Sequence, residues 1–214
     1  VIAARKASDV QARGWIFDLD GTLTVAQHDF PAIRRELGIP ADEDILKHLG
    51  RLPIAEREQL NARLDAIELR LAAEVAPAPG AADLVRQLHD SGMRLGILTR
   101  NLRKVAMASL ERIGVLDCFA PEHILGRNDA PPKPAPDGIH QLLADWQLQH
   151  SEAVMVGDFR FDLEAGRAAG CHTCLVFPDN AWPELTDLHV ADCHALLAYL
   201  RRVTCSVAWT DPQP

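Results

Sequence analysis

The sequence predicts a doubly wound α/β fold, a parallel sheet covered by helices on both faces, and three observations carry that prediction. Short apolar runs alternate with amphipathic segments of helical period. The alternation breaks once, after the first run. Several of the apolar runs also end in polar residues, the arrangement expected where strand ends in an open α/β sheet form a ligand site.

The first strand candidate is Trp15-Ile16-Phe17. From Thr24 to Pro77 no strand candidate follows, only helical patterns such as RRELGI, DEDILKHL and AEREQLNARLDAIELRLAAEV, which repeats Leu60, Leu64, Ile67 and Leu71 at helical spacing. This interval reads as a helical insertion, and Ala76-Pro77-Ala78-Pro79-Gly80 marks the return to the main domain, because Pro cannot continue a helix and Gly permits the turn. Helix 81–91 leads to the strand Leu95–Leu98, helix 101–113 to a short strand at His123–Leu125, helix 135–147 to Ala153–Val156, and helix 161–169 to Cys174–Phe177. The division is therefore an α/β core of residues 1–24 and 77–214 and a helical insertion of residues 25–76.

Composition narrows the function classes. The 214 residues are 48% hydrophobic, enough for a sizeable core. A formal charge of -8 argues against a general nucleic-acid binder, which needs clustered Lys and Arg, but leaves a small anionic substrate open. Five cysteines form no disulfide framework, the N-terminal VIAARKASDV lacks a signal peptide's apolar core, and no run reaches the roughly 20 apolar residues of a membrane span. The expectation is a soluble protein in a reducing, cytoplasmic setting with no membrane or nucleic-acid partner. Oligomeric state is not legible.

The polar residues at the strand ends carry the chemistry. Asp18 and Asp20, spaced by one residue, project to the same face of an extended chain. Thr99-Arg100-Asn101 ends the second run and Gly157-Asp158 the fourth, with Asp162 a helical turn further on. Lys133 lies among Pro131, Pro132, Pro134 and Pro136, whose fixed φ angles hold it on a stiff support. Four carboxylates with oxygen donors suit a hard divalent cation, Mg²⁺, and no His or Cys cluster at the same strand ends suggests zinc. Lys133 and Thr99 complement a bound anion, which such a site brings as phosphate.

Asp18-Leu19-Asp20-Gly21-Thr22-Leu23-Thr24, Thr99 after a strand, Lys133 in a Lys-Pro loop and Gly157-Asp158-Phe159-Arg160-Phe161-Asp162 resemble, in order and spacing, the four motifs of the haloacid dehalogenase-like hydrolases. The resemblance spans residues from about 14 to 180. It implies a Rossmann-like core, with the insertion as the family's helical cap. It further implies Asp18 as the nucleophile that forms an aspartyl-phosphate and Asp20 as the general acid and base whose backbone carbonyl ligates Mg²⁺. Asp18, Asp158 and Asp162 complete the metal site, and Thr99 and Lys133 hold the phosphoryl oxygens. Dehalogenases of this fold lack the second aspartate, so Asp20 favours phosphoryl transfer. The passage PAPGAADLVRQLHDSGMRLGILT resembles phosphoglycolate phosphatase-like members, though the cap is short for that group.

The expectation is a Mg²⁺-dependent phosphatase acting on a small phosphomonoester. A phosphomutase of the same superfamily and a phospho-acceptor signalling module are alternatives. The small cap weighs against the first and the DxDGT spacing against the second; a binding protein on a dead scaffold is disfavoured because every motif residue is present. Arg100 stands either near the phosphate or paired with an acidic neighbour, and Asn101 reads as the cap of the following helix. His28, Asp29, Arg34 and Arg35 lie where the insertion begins and are candidates for reading the leaving group. Cys171 and Cys174 have CxxC spacing but read as small buried apolar residues, and Trp146, Trp182 and Trp209 as packing. The tail after Arg202 carries no functional signal.

Overall fold

A computed structural model describes residues 12–26 and 29–207. The N-terminal segment, His28, Trp209 and the last residues of the tail lie outside it. A six-stranded, all-parallel sheet has the order β3-β2-β1-β4-β5-β6. Its strands are β1 (Gly14–Phe17), β2 (Arg94–Leu98), β3 (Ile124–Leu125), β4 (Ala153–Gly157), β5 (His172–Val176) and β6 (Leu188–Val190). The helices are α1 (Phe30–Leu37), α2 (Ile45–Arg51), α3 (Ile54–Glu74), α4 (Ala81–Asp90), α5 (Arg103–Arg112), α6 (Asp137–Trp146), α7 (Arg160–Ala168) and α8 (Cys193–Val207).

The period of two along β1 builds both faces of the sheet. Trp15 and Phe17 join Ile97, Val154 and Val156 in a cluster covered by Leu84, Val85 and Leu88 of α4, Leu110 of α5 and Leu196 and Leu197 of α8. Ile16 points the other way and packs with Leu98 and Met155 against Ile139, Leu142 and Trp146 of α6 and Ala165 of α7. Gly96 of β2 allows this second layer to close on the sheet: a Cβ there would lie 2.9 Å from the Trp146 ring.

The chain runs outward from β1 through β2 to β3, then crosses back to β4 on the other side of β1. The carboxyl end of β1 is thus the point where strand order reverses, the place where such sheets open a crevice.

Helices α1 to α3 follow β1, in the stretch read from the sequence as a cap. Ile33, Leu37, Ile39, Ile45, Leu49, Leu64 and Ile67 make a hydrophobic cluster of their own. Leu60 and Leu71 of the predicted α3 stripe pack against it, half-buried. Thr24 pairs in antiparallel fashion with Pro77, so the two strands linking cap and core lie side by side. Core helices and strands start within a few residues of the positions predicted by periodicity. Strand β6 and helix α8 were not anticipated. β6 is three residues long and half-exposed, with little periodicity to read.

Candidate active site

Each site residue is placed by the element before it. Beyond β1, the Asp18 N–H donates to the Val156 carbonyl at 2.9 Å, so pairing with β4 continues to the nucleophile candidate itself. Leu19 is fully buried, which fixes the side chains of Asp18 and Asp20 on the opposite side of the chain from it. The backbone then turns at Gly21, whose φ is 88°, and the Gly21 N–H donates to the Thr24 carbonyl. Only glycine fits: a Cβ at this position would stand 2.4 Å from an Asp158 carboxylate oxygen. Thr99 follows β2 and donates its N–H to Leu125. Asp158 follows β4, and Asp162 sits in the first turn of α7, where Oδ2 accepts the Phe159 N–H at 3.0 Å and closes the helix start.

Lys133 reaches this edge from the proline-rich loop, its side chain only 2% exposed. Its Nζ donates to Asp18 Oδ1 at 2.5 Å and lies 2.6 Å from Asp162 Oδ1. Burial alone would favour the neutral amine, but the charges of Asp162 and Asp18 outweigh it and raise the lysine above its ordinary value. One ammonium thus faces three carboxylates, because Asp158 stands in the same group. Burial, then the charges of Asp18 and Asp162, push Asp158 up to about 8. Burial also raises Asp162 to about 6, although Lys133 opposes the shift. Thr22 Oγ1 donates to Asp158 at 3.2 Å and orients it.

Oxygens of Asp18, Asp158 and Asp162 all lie within 4.8 Å of one another. A largely buried cluster of three carboxylates faced by a single ammonium, with Asp158 and Asp162 raised first by burial and then by neighbouring carboxylates, fits a divalent cation of the Mg²⁺ type.

Asp20 is held apart from that cluster. Its carboxylate accepts the Asn101 Nδ2–H at 2.6 Å. Burial first, then the Asp18 charge, raise it to about 7, against the opposing effects of Lys133 and of hydrogen bonds from Asn101 and Thr24. Two carboxyl groups one residue apart therefore differ in environment, one against an ammonium and one against an amide.

The position of Asn101 corrects the sequence reading. Helix α5 starts at Arg103 with Leu102 at its N-cap and no side-chain cap, so Asn101 stands one residue too early to cap it. Its own N–H donates to Thr99 Oγ1 at 3.1 Å. The signal was present in the spacing: Thr99 and Asn101 are two apart at a strand end, like Asp18 and Asp20.

Arg100 takes the acidic-neighbour option. One guanidinium nitrogen donates to both oxygens of Asp44, at 2.8 Å each, and the group lies 5.1 Å above the Phe161 ring. Asp44 is the N-cap of α2, so this pair ties core to cap. A second tie was invisible in the sequence. Arg127, after β3, donates to both oxygens of Glu68 on α3 at 2.7 and 2.6 Å and also reaches Asp65, with Arg127 and Glu68 side chains each 5% exposed.

Of the residues where the insertion begins, Asp29 caps α1 by accepting the Ala32 N–H at 2.9 Å. Arg35 is exposed and Arg34 is half-buried. Cys171 and Cys174 are buried free thiols, and desolvation pushes Cys171 up to about 12. Trp146 is core, and Trp182 meets Phe159 edge-on.

A cavity of about 450 Å³ opens between cap and core. Asp18, Asp20, Thr99, Arg100, Asn101, Lys133, Asp158 and Asp162 line its core side. The cap contributes Phe30, Ile33, Arg34, Ile45, Leu46 and Leu64.

A doubly wound sheet with a covered, acid-rich cavity at its switch point defines the molecule as an α/β protein with a ligand site at the strand ends. The model of the haloacid dehalogenase-like hydrolases matches residues 15–176, and the chain belongs to that family. It is similar to an uncharacterized hydrolase of Saccharomyces cerevisiae, 32% identical over 75% of each chain. It is also similar to a phosphoglycolate phosphatase of Rhodospirillum rubrum, 31% identical over 72% of this chain and 75% of the relative. Among solved structures, a hydrolase from Pseudomonas syringae superposes with a TM-score of 0.74 at 22% identity, over 89% of this chain and 98% of the other. That last likeness is one of fold.

Proposed function

We propose that this chain is a Mg²⁺-dependent phosphatase that hydrolyses a small phosphomonoester through an aspartyl-phosphate on Asp18. The observation that carries the proposal is the contrast between the paired aspartates: Asp18 against Lys133 Nζ at 2.5 Å, and Asp20 raised to about 7 beside Asn101. Lys133 sets its ammonium directly against the carboxylate that would attack phosphorus. A group that gives and then takes a proton works best near ambient pH, where burial has put Asp20. Membership of the family and the phosphatase names among the relatives support the same reading.

Asp18, Asp158 and Asp162, with the Asp20 backbone carbonyl, would hold the cation. When bound, Mg²⁺ would neutralise the carboxylates and polarise a phosphoryl oxygen. Lys133 and the Thr99 hydroxyl hold the remaining phosphoryl oxygens. Asp18 attacks phosphorus, the bond to the leaving oxygen breaks, and protonated Asp20 supplies the proton that makes it an alcohol. Asp20, now ionised, takes a proton from water as the water oxygen attacks phosphorus, and phosphate departs with Asp18 regenerated as carboxylate. The cap closes over this chemistry with an apolar wall, which limits water at the site.

The test is a panel of phosphomonoesters with Mg²⁺, assayed by phosphate release for wild type, Asp18→Asn and Asp20→Asn. Asp18→Asn should lose turnover, and Asp20→Asn should lose about 10²–10⁴-fold while carrying a phosphoryl adduct on Asp18 detectable by mass spectrometry. Equal hydrolysis of the best substrate by all three proteins would show the roles to be wrong. Turnover that required a sugar bisphosphate primer would indicate a mutase instead.

A further inference from the structure

The charged groups that line the cavity are nearly all matched. Lys133 lies between Asp18 and Asp162. Arg100 is paired with Asp44, and Glu68 with Arg127. Asp20 accepts from Asn101. Arg34 differs. Its Nε is buried without a hydrogen-bond partner, and among the described residues nothing forms an ion pair with its guanidinium. Arg100 also has a buried Nε without a partner, but its charge is already met by Asp44.

Arg34 is placed for recognition by the helix that bears it. On α1, Ile33 and Leu37 are one turn apart and bury themselves in the cap's own cluster. Phe30 and Arg34, also one turn apart, form the adjacent stripe and line the cavity. The same cavity has apolar lining from Ile33, Ile45, Leu46, Leu64, Phe159 and Phe161. Its volume of about 450 Å³ is within the usual range for small-molecule sites and leaves room beyond a phosphoryl group for a leaving alcohol of several carbons. A partly desolvated guanidinium with unused donors on an inserted helix that lines such a cavity lacks an anion, and a planar fork of donors matches carboxylate and phosphate alike.

We infer that Arg34 is a specificity-determining residue, and that the substrate carries on its leaving alcohol a second anionic group, carboxylate or phosphate, which the Arg34 guanidinium receives. The inference rests on the phosphatase reading and narrows it to doubly anionic phosphomonoesters with a carbon spacer against the apolar wall.

The experiment compares ω-carboxyalkyl phosphates with ω-hydroxyalkyl phosphates of equal length, and includes α,ω-alkanediol bisphosphates as a third arm. Wild type, Arg34→Gln and Arg34→Lys are assayed for kcat and KM. Wild type should prefer one of the doubly anionic arms by at least tenfold in kcat/KM, expressed mainly in KM, and the arm preferred identifies carboxylate or phosphate. Arg34→Gln should reduce that preference to about twofold, and Arg34→Lys should keep part of it. No preference in wild type, or a preference that survives in Arg34→Gln, overturns the inference while leaving the phosphatase reading intact. If no compound is hydrolysed, calorimetric binding of the same compounds to wild type and Arg34→Gln decides: selective binding of the doubly anionic member, lost in Arg34→Gln, sustains the inference against a failed phosphatase reading, and its absence overturns it.

Discussion

Replacing Asn101 by the near-isosteric Leu tests how Asp20, the proposed proton donor, is tuned. Asn101 is buried and its amide donates to Asp20 at 2.6 Å, one of the effects that hold the Asp20 carboxyl down to about 7 against burial and the Asp18 charge. A hydrogen bond to a charged group contributes about 1.5–3 kcal/mol, and a shift of one pKa unit corresponds to about 1.4 kcal/mol. Loss of the amide should therefore raise Asp20 by roughly one to two units. At pH 7 the ionised fraction falls from about half to about a tenth or below, so the step in which Asp20 takes a proton from water slows by roughly 5- to 50-fold. The assay is kcat against pH on an alkyl phosphomonoester at saturating Mg²⁺, with phosphoenzyme quantified by acid quench. In Asn101→Leu the rising limb should move one to two units toward alkaline pH, with phosphoenzyme accumulating at pH 7 and activity recovering above the new limb. A uniform fall in rate with the limb in place would refute the argument, because it would mean that Asn101 shapes the site without tuning Asp20.

Three further outcomes follow from the same geometry. Arg127→Met takes away the guanidinium that meets both oxygens of Glu68, 5% exposed; stability should fall by about 3–5 kcal/mol, which for a chain of this size lowers Tm by on the order of 10 °C, and Arg127→Met/Glu68→Met together should be milder than the single change. Gly21→Ala meets both a left-handed backbone and an Asp158 oxygen at 2.4 Å; calorimetry should show a loss of about 1–2 kcal/mol or more from the backbone, and phosphate release should fall further because Asp158 must move. In the metal-free protein Asp158 and Asp162 sit near 8 and 6, above the ordinary 3.8, so the folded state binds more protons and stability declines as pH rises from about 4 through 8. A cation that needs these groups ionised relieves the strain, so the rise in Tm on adding Mg²⁺ should be larger at pH 8 than at pH 5, and equal rises would count against Mg²⁺ at this cluster.

Most of the core was legible because periodicity reports local environment. Trp15-Ile16-Phe17 is apolar on both sides because β1 is buried on both faces, and the helices after it carry their covered stripes in sequence order. Leu64 and Ile67 of α3 were visible for the same reason. Glu68, next in line, broke the stripe and gave no hint that it is buried against Arg127 from the core. The same helix packs two ways: one face makes the cap cluster, and Ala72 joins Leu102 and Val105 of the core. A single amphipathic pattern does not encode two partners.

The sequence by itself determined the alternation that gives a parallel sheet, the run of helices that follows the first strand, and the order of Asp18, Asp20, Thr99, Lys133, Asp158 and Asp162 at strand ends and loops. These follow from side-chain period, from the rigidity of proline and from the rule that strand ends open the crevice, all of which act over a few residues. Only the tertiary structure decided which charge meets which. It placed Asn101 against Asp20 and Arg100 against Asp44, and of the four polar residues that open the insertion it put Arg34 on the cavity wall while Asp29 capped a helix. The physical reason is that Coulomb and hydrogen-bond partners are chosen by distance in space. Asp44 and Arg100 are 56 residues apart along the chain and 2.8 Å apart in the fold, and no local pattern carries that information.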